Sequence, residues 1–549
     1  MNGLVFVVLA LVLYYLAYRF YAKFLAEKIW KLDPDRVTPA VAKDDGFEYV
    51  PSRTEIVLGH HFTSIAGAAP IVGPIVAAVW GWVPALIWIV FGTIFLGAVH
   101  DFGALVTSIR HDGRGIADYV KDLLGPRAMQ LMYVVAFFLL VLVSAVFVHV
   151  IAVLASAYPA AVYSIWIEIP LAMMIGLMVR YKWKVNTYLA ALIAVAIMYA
   201  MIGVGVRYPL ELPYKTWVYI LLGYMLIAAR LPVWLLVQPR DFINGIQLVI
   251  ALAVCTVGVV ALALAGGGQV VAPALRLNPP GAPPIWPFVM ITIACGAISG
   301  WHSIVGSGTT PKQLKNERDT RLVGYGSMLG EGYLAVIALV AAVVGLGVAG
   351  YQQFYGAWGQ ASWPKVWAEG GSALVGALGI PAATAAAFMA VVAKSFAMTT
   401  LDSAMRFTRI AFAESAVTFK LPQIFTDRTV SLLPGWVVIL LLAVSGHGMV
   451  LWPLFGASNQ ILASLALLAS AIFLLKLGRP TVHYVVPFVL MLVTSMTAMA
   501  WSVLTNYIPN AKWELAIIGV VVFVCGIGVT AIAVNTWGEQ KRREREDLG

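Results

Sequence analysis

Charge is what this chain has least of. Asp, Glu, Lys and Arg make up 11% of its 549 residues, less than half the share typical of a soluble domain. Hydrophobic residues make up 61%, and the mean hydropathy is +0.88. This excludes a water-soluble globule and indicates a polytopic membrane protein. Cysteine is scarcer still: Cys255, Cys295 and Cys525 stand at unrelated spacings in apolar stretches, so no disulfide framework and no cysteine-based metal motif is expected. A phosphate loop, a dinucleotide fingerprint and a hydrolytic triad are all missing. Neither ATP-driven work nor an enzymatic reaction therefore has a motif within the chain. Also missing before Tyr18-Arg19-Phe20 are a basic n-region and a small-residue cleavage site, so residues 3–18 read as an uncleaved first helix.

What is abundant is long apolar runs. With roughly 20 residues needed per crossing, about fifteen spans are expected, beginning near residues 3, 59, 83, 127, 160, 185, 216, 243, 286, 323, 378, 432, 450, 482 and 513. The fold class is an all-α polytopic membrane protein. The net charge of +10 is not a nucleic-acid signal, because the basic residues segregate by side. With the N-terminus outside, one face collects Arg19 to Arg53, Arg110 to Arg127, Arg180 with Lys182 and Lys184, Arg240, Lys312 to Arg321, Arg406 to Arg428, Lys476 with Arg479, and Lys541 to Arg545. The other face holds Arg207, Lys215, Arg276, Lys365 and Lys512. The rich face is cytoplasmic by the positive-inside rule, which puts the C-terminus in the cytoplasm of a cell-membrane protein. The partners expected are a small-molecule substrate and the lipid bilayer, with no nucleic acid. Oligomeric state has no signal. The segment from Tyr351 to Trp367, rich in Trp, Tyr and Phe, reads as an interfacial or capping stretch outside.

Two apolar segments are interrupted in the same way. Gly59-His60-His61-Phe62-Thr63-Ser64-Ile65-Ala66-Gly67 and Gly300-Trp301-His302-Ser303-Ile304-Val305-Gly306 both read Gly, one large residue, His, then Ser-Ile-x-Gly, with a Pro following. Chance is the other explanation of so short an echo. Glycine and proline inside a span free backbone groups at membrane depth, which hydrocarbon tolerates only where protein or a water-filled cavity satisfies them. Spans 59–80 and 286–306 are therefore expected to be discontinuous. An odd number of crossings separates them, so they run in opposite directions, the pattern of an inverted-repeat transporter with its site where the breaks meet.

A third feature is Lys394-Ser395-Phe396-Ala397-Met398-Thr399-Thr400-Leu401-Asp402-Ser403. Hard cations take oxygen ligands. The hydroxyls of Thr399 and Thr400 can combine with carbonyls freed near Ser64, Ile65, Gly67 and Ala68. The plainer reading has both hydroxyls bonding back to their own helix, with Asp402 as an interfacial charge. Intramembrane ionisable groups are rare and tend to be functional. His60, His61, His100 and His302 are candidates for substrate contact, proton transfer, or haem or metal ligation, against the plainer role of capping a helix. His149 and His447 read as structural. Asp101, Glu331 and Arg230 each cost about 2.5 to 3.5 kcal/mol at the centre of a membrane helix, so they are expected to pair or to face a cavity. Arg230 either holds a substrate carboxylate or snorkels. The candidate sets are His60, His61, Ser64, Gly67, His302, Ser303 and Arg230 for substrate, and Ile65, Ala68, Thr399, Thr400 and Lys394 for a coupling ion. His100, Asp101 and Glu331 are the candidates for a proton relay.

The Thr399-Thr400-Leu401-Asp402-Ser403 stretch is similar to the hydroxyl-hydroxyl-x-Asp-Ser element of sodium-coupled symporters with the leucine-transporter fold. More specifically, the chain resembles the carbon starvation protein A family. The resemblance is carried by Gly59-His60-His61-Phe62, Ala66-Gly67-Ala68-Ala69-Pro70-Ile71-Val72-Gly73-Pro74, Gly97-Ala98-Val99-His100-Asp101-Phe102, Pro232-Val233-Trp234, Pro239-Arg240-Asp241, Ser307-Gly308-Thr309-Thr310-Pro311-Lys312 and Leu451-Trp452-Pro453-Leu454-Phe455-Gly456-Ala457-Ser458-Asn459-Gln460. It implies a five-plus-five inverted-repeat transporter importing peptides, or in some members pyruvate, when carbon is scarce. The spans near 59, 286 and 378 would be the first, sixth and eighth core helices, and those near 160 and 185 insertions. The division expected is a first helix and cytoplasmic linker over 1–58, a transporter core over 59–480, and two extra helices with a cytoplasmic tail over 481–549. Coupling is expected to H+ or Na+, with no other cofactor and no resident metal. His100 and Lys394 depart from the pattern, and an ammonium one or two turns from Thr399 can replace a coupling ion. The alternative from another class is a redox membrane subunit binding haem or metal through His60, His61, His100 and His302.

Overall fold

A computed structural model describes residues 1–546 except Phe47, Lys182 and Lys184. Lys182 and Lys184 of the basic face, and Asp547 of the tail, thus lie outside the described residues. Every regular element among the described residues is helical. In chain order the helices are α1 Leu4–Ile29, α2 Thr54–Ile65, α3 Ala69–Trp80, α4 Trp82–Ile109, α5 Ile116–Leu124, α6 Pro126–Ala157, α7 Pro159–Arg180, α8 Thr187–Arg207, α9 Tyr214–Arg230 and α10 Val237–Leu264. They continue with α11 Ile285–Thr292, α12 Gly300–Gly308, α13 Glu317–Gly345, α14 Gly347–Phe354, α15 Trp363–Gly376, α16 Ala382–Thr418, α17 Leu432–Val444, α18 Gly448–Lys476, α19 Val482–Tyr507 and α20 Trp513–Arg542.

Eleven helices are long and apolar enough to cross a membrane, and the pair α2–α3, bent by 44° at its break, makes a twelfth when counted as one span. The sequence suggests about fifteen. The difference lies in α9 with 17 residues, α17 with 13, and the interrupted α11–α12, none of which is a continuous helix of crossing length.

Burial sorts the helices into an inner and an outer set. The most apolar stretches of α13 and α18 are each 89% buried, whereas that of α1 is 28% buried. Since lipid tails are as apolar as Leu, exposed residues such as Leu9, Val12 and Leu16 on α1 suit a helix at the rim. Inner α6 runs for 32 residues from Pro126, a residue pre-set for the first helical position, and contains no glycine.

Helices α14 and α15 and the segment between them lie over the end of α3. The hydroxyls of Tyr351 and Tyr355 donate to the carbonyls of Ala78 (3.0 Å) and Ile75 (2.7 Å). Trp358 packs on Trp80 with ring centroids 5.0 Å apart, so the aromatic-rich stretch caps this helix end. One residue of the basic face is placed differently by the fold: Arg240 is fully buried, not at a surface.

Candidate functional site

The two interruptions lie against each other. Between α11 and α12 the backbone of residues 293–299 leaves the helical path, and its carbonyls are met by side chains from neighbouring helices. Trp88 Nε1 of α4 donates to the Met290 and Ile293 carbonyls at 3.1 and 3.2 Å, and Thr93 Oγ1 to Gly296 O at 3.1 Å. From α18, Trp452 Nε1 reaches Thr292 O at 3.1 Å, and Gln460 Nε2 reaches Met290 O at 2.7 Å. Asn459 Oδ1 accepts the Trp301 N–H at 2.9 Å, capping α12. The break is thus satisfied by protein, as hydrocarbon requires. Close approach is possible because Gly97 of α4 has no Cβ; one placed there would stand 2.2 Å from Ala297 O.

The first interruption runs from Ala66 to Ala68. Trp301 Nε1 of α12 donates to Ser64 O in the last turn of α2 at 2.8 Å, tying the breaks together. On the opposite side stands α16: a Cβ on Gly67 would fall 2.5 Å from Thr400 Oγ1. Thr400 is therefore brought to the first break, where Ile65 and Ala68 also lie. Thr400 Oγ1 donates to Phe396 O of its own helix at 3.2 Å, whereas Thr399 Oγ1 accepts from Asn244 Nδ2 of α10 at 2.7 Å. Gly67→Ala is expected to cut uptake tenfold or more at normal protein abundance, by forcing α16 off the break. Wild-type uptake by this variant would show that the contact is dispensable.

Beside the second break lies a buried chain of ionisable groups. Asp101 of α4 accepts from His100 Nδ1 at 2.7 Å on one carboxylate oxygen, and from His302 Nδ1 of α12 at 2.8 Å on the other. The second ring nitrogen of His302 stands 3.1 Å from Glu331 Oε2 of α13. All four side chains are at most 1% exposed. His302 thus stands between two buried carboxylates, hydrogen-bonded to Asp101 and within ion-pair distance of Glu331. Cys295 Sγ completes a set with His302 and Glu331 whose ligand atoms lie within 4.8 Å of one another, the one such metal-competent set among the described residues. Cysteine spacing conceals it, because the thiol meets its neighbours only through the break.

A second polar cluster joins α2, α7, α9, α10 and α16. His60 Nδ1 is 2.7 Å from Asp241 Oδ2, within ion-pair distance, and that oxygen accepts from Ser64 Oγ at 3.1 Å. Next to it, Arg240 donates through Nε to Glu168 at 2.9 Å, and through Nη1 to Asp402 at 2.6 Å and to the Tyr224 hydroxyl at 2.9 Å. Asp402 is thus a buried ion-pair partner, not the interfacial charge of the plainer reading.

His61 Nδ1 pairs with Thr310 Oγ1 at 2.8 Å, just beyond α12. Ser303 is buried, its hydroxyl bonded to Gly300 O at 2.6 Å. Two candidates are not brought in. Arg230 ends α9 in an exposed position with its guanidinium on Thr429 Oγ1 at 2.7 Å, since a long cation at a helix end reaches the polar boundary. Lys394 turns to the Tyr158 carbonyl at 3.0 Å; five residues of helix place it about 140° around α16 from Thr399. His149 and His447 make local contacts, to the Tyr214 hydroxyl at 2.8 Å and to Glu514. Sequence reasoning passed over Glu168, Tyr224, Asn244 and Trp301 as site residues. The signal available for Glu168 was a carboxylate within an apolar run.

The sequence matches the family described as Carbon starvation protein CstA over residues 2–362 and 364–498. Among curated proteins, "Peptide transporter CstA" of Escherichia coli (strain K12) is 32% identical over 585 residues, covering 93% of this chain and 82% of the relative. "Pyruvate/proton symporter BtsT" of the same organism is 31% identical, covering 91% and 81%. "Peptide transporter CstA" of Bacillus subtilis (strain 168) is 31% identical, covering 98% of both chains.

Proposed function

Because the chain belongs to the carbon starvation protein CstA family, we propose that it is a secondary active transporter importing peptides or a small carboxylate such as pyruvate, coupled to a proton gradient. The observation that carries the coupling is the buried chain His100, Asp101, His302 and Glu331, which joins α4, α12 and α13 beside the second break. Proton relays in membrane proteins are built from such groups. In this reading the substrate lies where the breaks meet, against His60, His61, Ser64, Gly67, His302 and Ser303, with helix ends supplying backbone dipoles. Arg230 has no part in it.

Counting α9, α17 and the α11–α12 pair as crossings brings the number of spans to that read from the sequence. Together with the positive-inside rule, that count supports opposite orientations for the two interrupted helices, an outside N-terminus and a cytoplasmic C-terminus. The core is assigned to 59–480, flanked by 1–58 and 481–549, and alternating access is a rocking of helix groups about the fixed site. Sodium is the second reading, favoured by Thr400, next to Thr399, facing the Gly67 break. The redox-subunit reading finds no support in the relatives, which are named as transporters.

The test is uptake of labelled pyruvate and of a labelled dipeptide into proteoliposomes, with proton and sodium gradients imposed separately. Accumulation driven by the proton gradient alone is expected. Accumulation driven by sodium alone would move the coupling site to Thr399 and Thr400. No gradient-driven accumulation of either solute by folded, inserted protein would overturn the assignment.

A further inference from the structure

We propose that Lys394 and Trp217 form a binding site for a small monovalent anion in the wall of the core, between α6, α7, α9 and α16. Lys394 is 1% exposed in the middle of a membrane-spanning helix, where an uncompensated charge is costly. Of the three N–H donors of its ammonium, one finds the Tyr158 carbonyl at 3.0 Å. Among the described residues no carboxylate pairs with it. The contrast with Arg240 is direct: that cation, equally buried, has Glu168 and Asp402 against it.

Trp217 is 2% exposed, and its indole N–H has no acceptor. Both side chains line one cavity with room for about one water-sized group, walled otherwise by apolar residues that include Ile151, Ile165, Trp166, Leu221 and Met398. The donor set selects the ligand. A water there would accept from Lys394 and Trp217, but the lining side chains offer its own two hydrogens no oxygen acceptor. An anion accepts from both donors, neutralises the ammonium, and gains from the low dielectric of the apolar wall. One compensating charge is called for, and the space is small. The site therefore takes a monovalent anion of about chloride's size, since a carboxylate with the rest of its solute exceeds the room.

The test is thermal melting of the purified full-length protein in sodium gluconate, whose polyhydroxyl chain the apolar lining rejects, titrated with sodium chloride or sodium pyruvate at constant ionic strength. The wild type is expected to show a saturable rise of roughly 2 °C or more with chloride. That rise is lost in Lys394→Met, a variant that exchanges a buried charge for an apolar chain of similar length, and is weakened in Trp217→Phe. A response to chloride assigns the halide, and a response to pyruvate alone overturns it. Melting that is indifferent to both anions in the wild type, or shifts equally in wild type and Lys394→Met, overturns the site. Should Lys394→Met not accumulate, an unchanged response in Trp217→Phe overturns it instead. Because melting needs no transport, failure of this site and failure of the transport assignment are separate results.

Discussion

Asp101→Asn is expected to abolish proton-driven accumulation, by about 100-fold or more, while the protein still reaches the membrane. The substitution keeps the shape of the side chain. It removes the group that accepts from His100 at 2.7 Å and from His302 at 2.8 Å, and it puts a donor where one of those oxygens stood. An amide cannot take up and release a proton, so uphill transport ends. Exchange of labelled for unlabelled solute needs only reorientation of the loaded carrier, and is expected to persist. That division separates a proton carrier from a structural residue, whose loss would lower both activities together. Glu331→Gln, at the far side of His302, is expected to give the same division. Normal gradient-driven accumulation by Asp101→Asn would remove this chain from the coupling mechanism.

The second large effect is on stability. Arg240→Met leaves Glu168 and Asp402 as buried carboxylates without their shared cation, and breaking one partner out of a buried ion pair costs about 3 to 5 kcal/mol. The outcome is expected as low abundance and a depressed melting temperature in detergent. The triple variant Arg240→Met, Glu168→Gln, Asp402→Asn removes every charge of the network and is expected to recover most of the loss, because removing a whole buried ion-pair network is often close to neutral. Wild-type melting by Arg240→Met alone would mean that the network contributes nothing to holding α7, α9, α10 and α16 together.

Much of the site was legible one segment at a time. Glycine marked the first interruption at Gly67, whereas the second falls at 293–299, ahead of the Gly300–Gly306 segment, which is helical; intramembrane rarity marked His60, His100, Asp101, His302 and Glu331 as candidates. Pairing was not legible. Arg240 reads as a helix-end cation from its place near the start of an apolar run, yet packing buries it completely. Arg230, read as an intramembrane charge, instead ends its helix exposed on Thr429. What buries Arg240 is that Glu168 and Asp402, 72 residues before it and 162 after it, arrive at the same place.

The sequence by itself determined the class of the molecule, an all-helical chain with many apolar helices, and its family. These follow from hydropathy, backbone chemistry and motif order, which act over one element at a time. Only the tertiary structure decided that Asp101, His302 and Glu331 lie in one chain, that Thr400 closes on Gly67, and that Lys394 turns to the Tyr158 carbonyl and shares a cavity with Trp217. Each of these depends on which faces of helices distant in sequence meet, and in an apolar chain many faces are chemically alike. Side-chain packing and the need to satisfy every buried polar group choose among them.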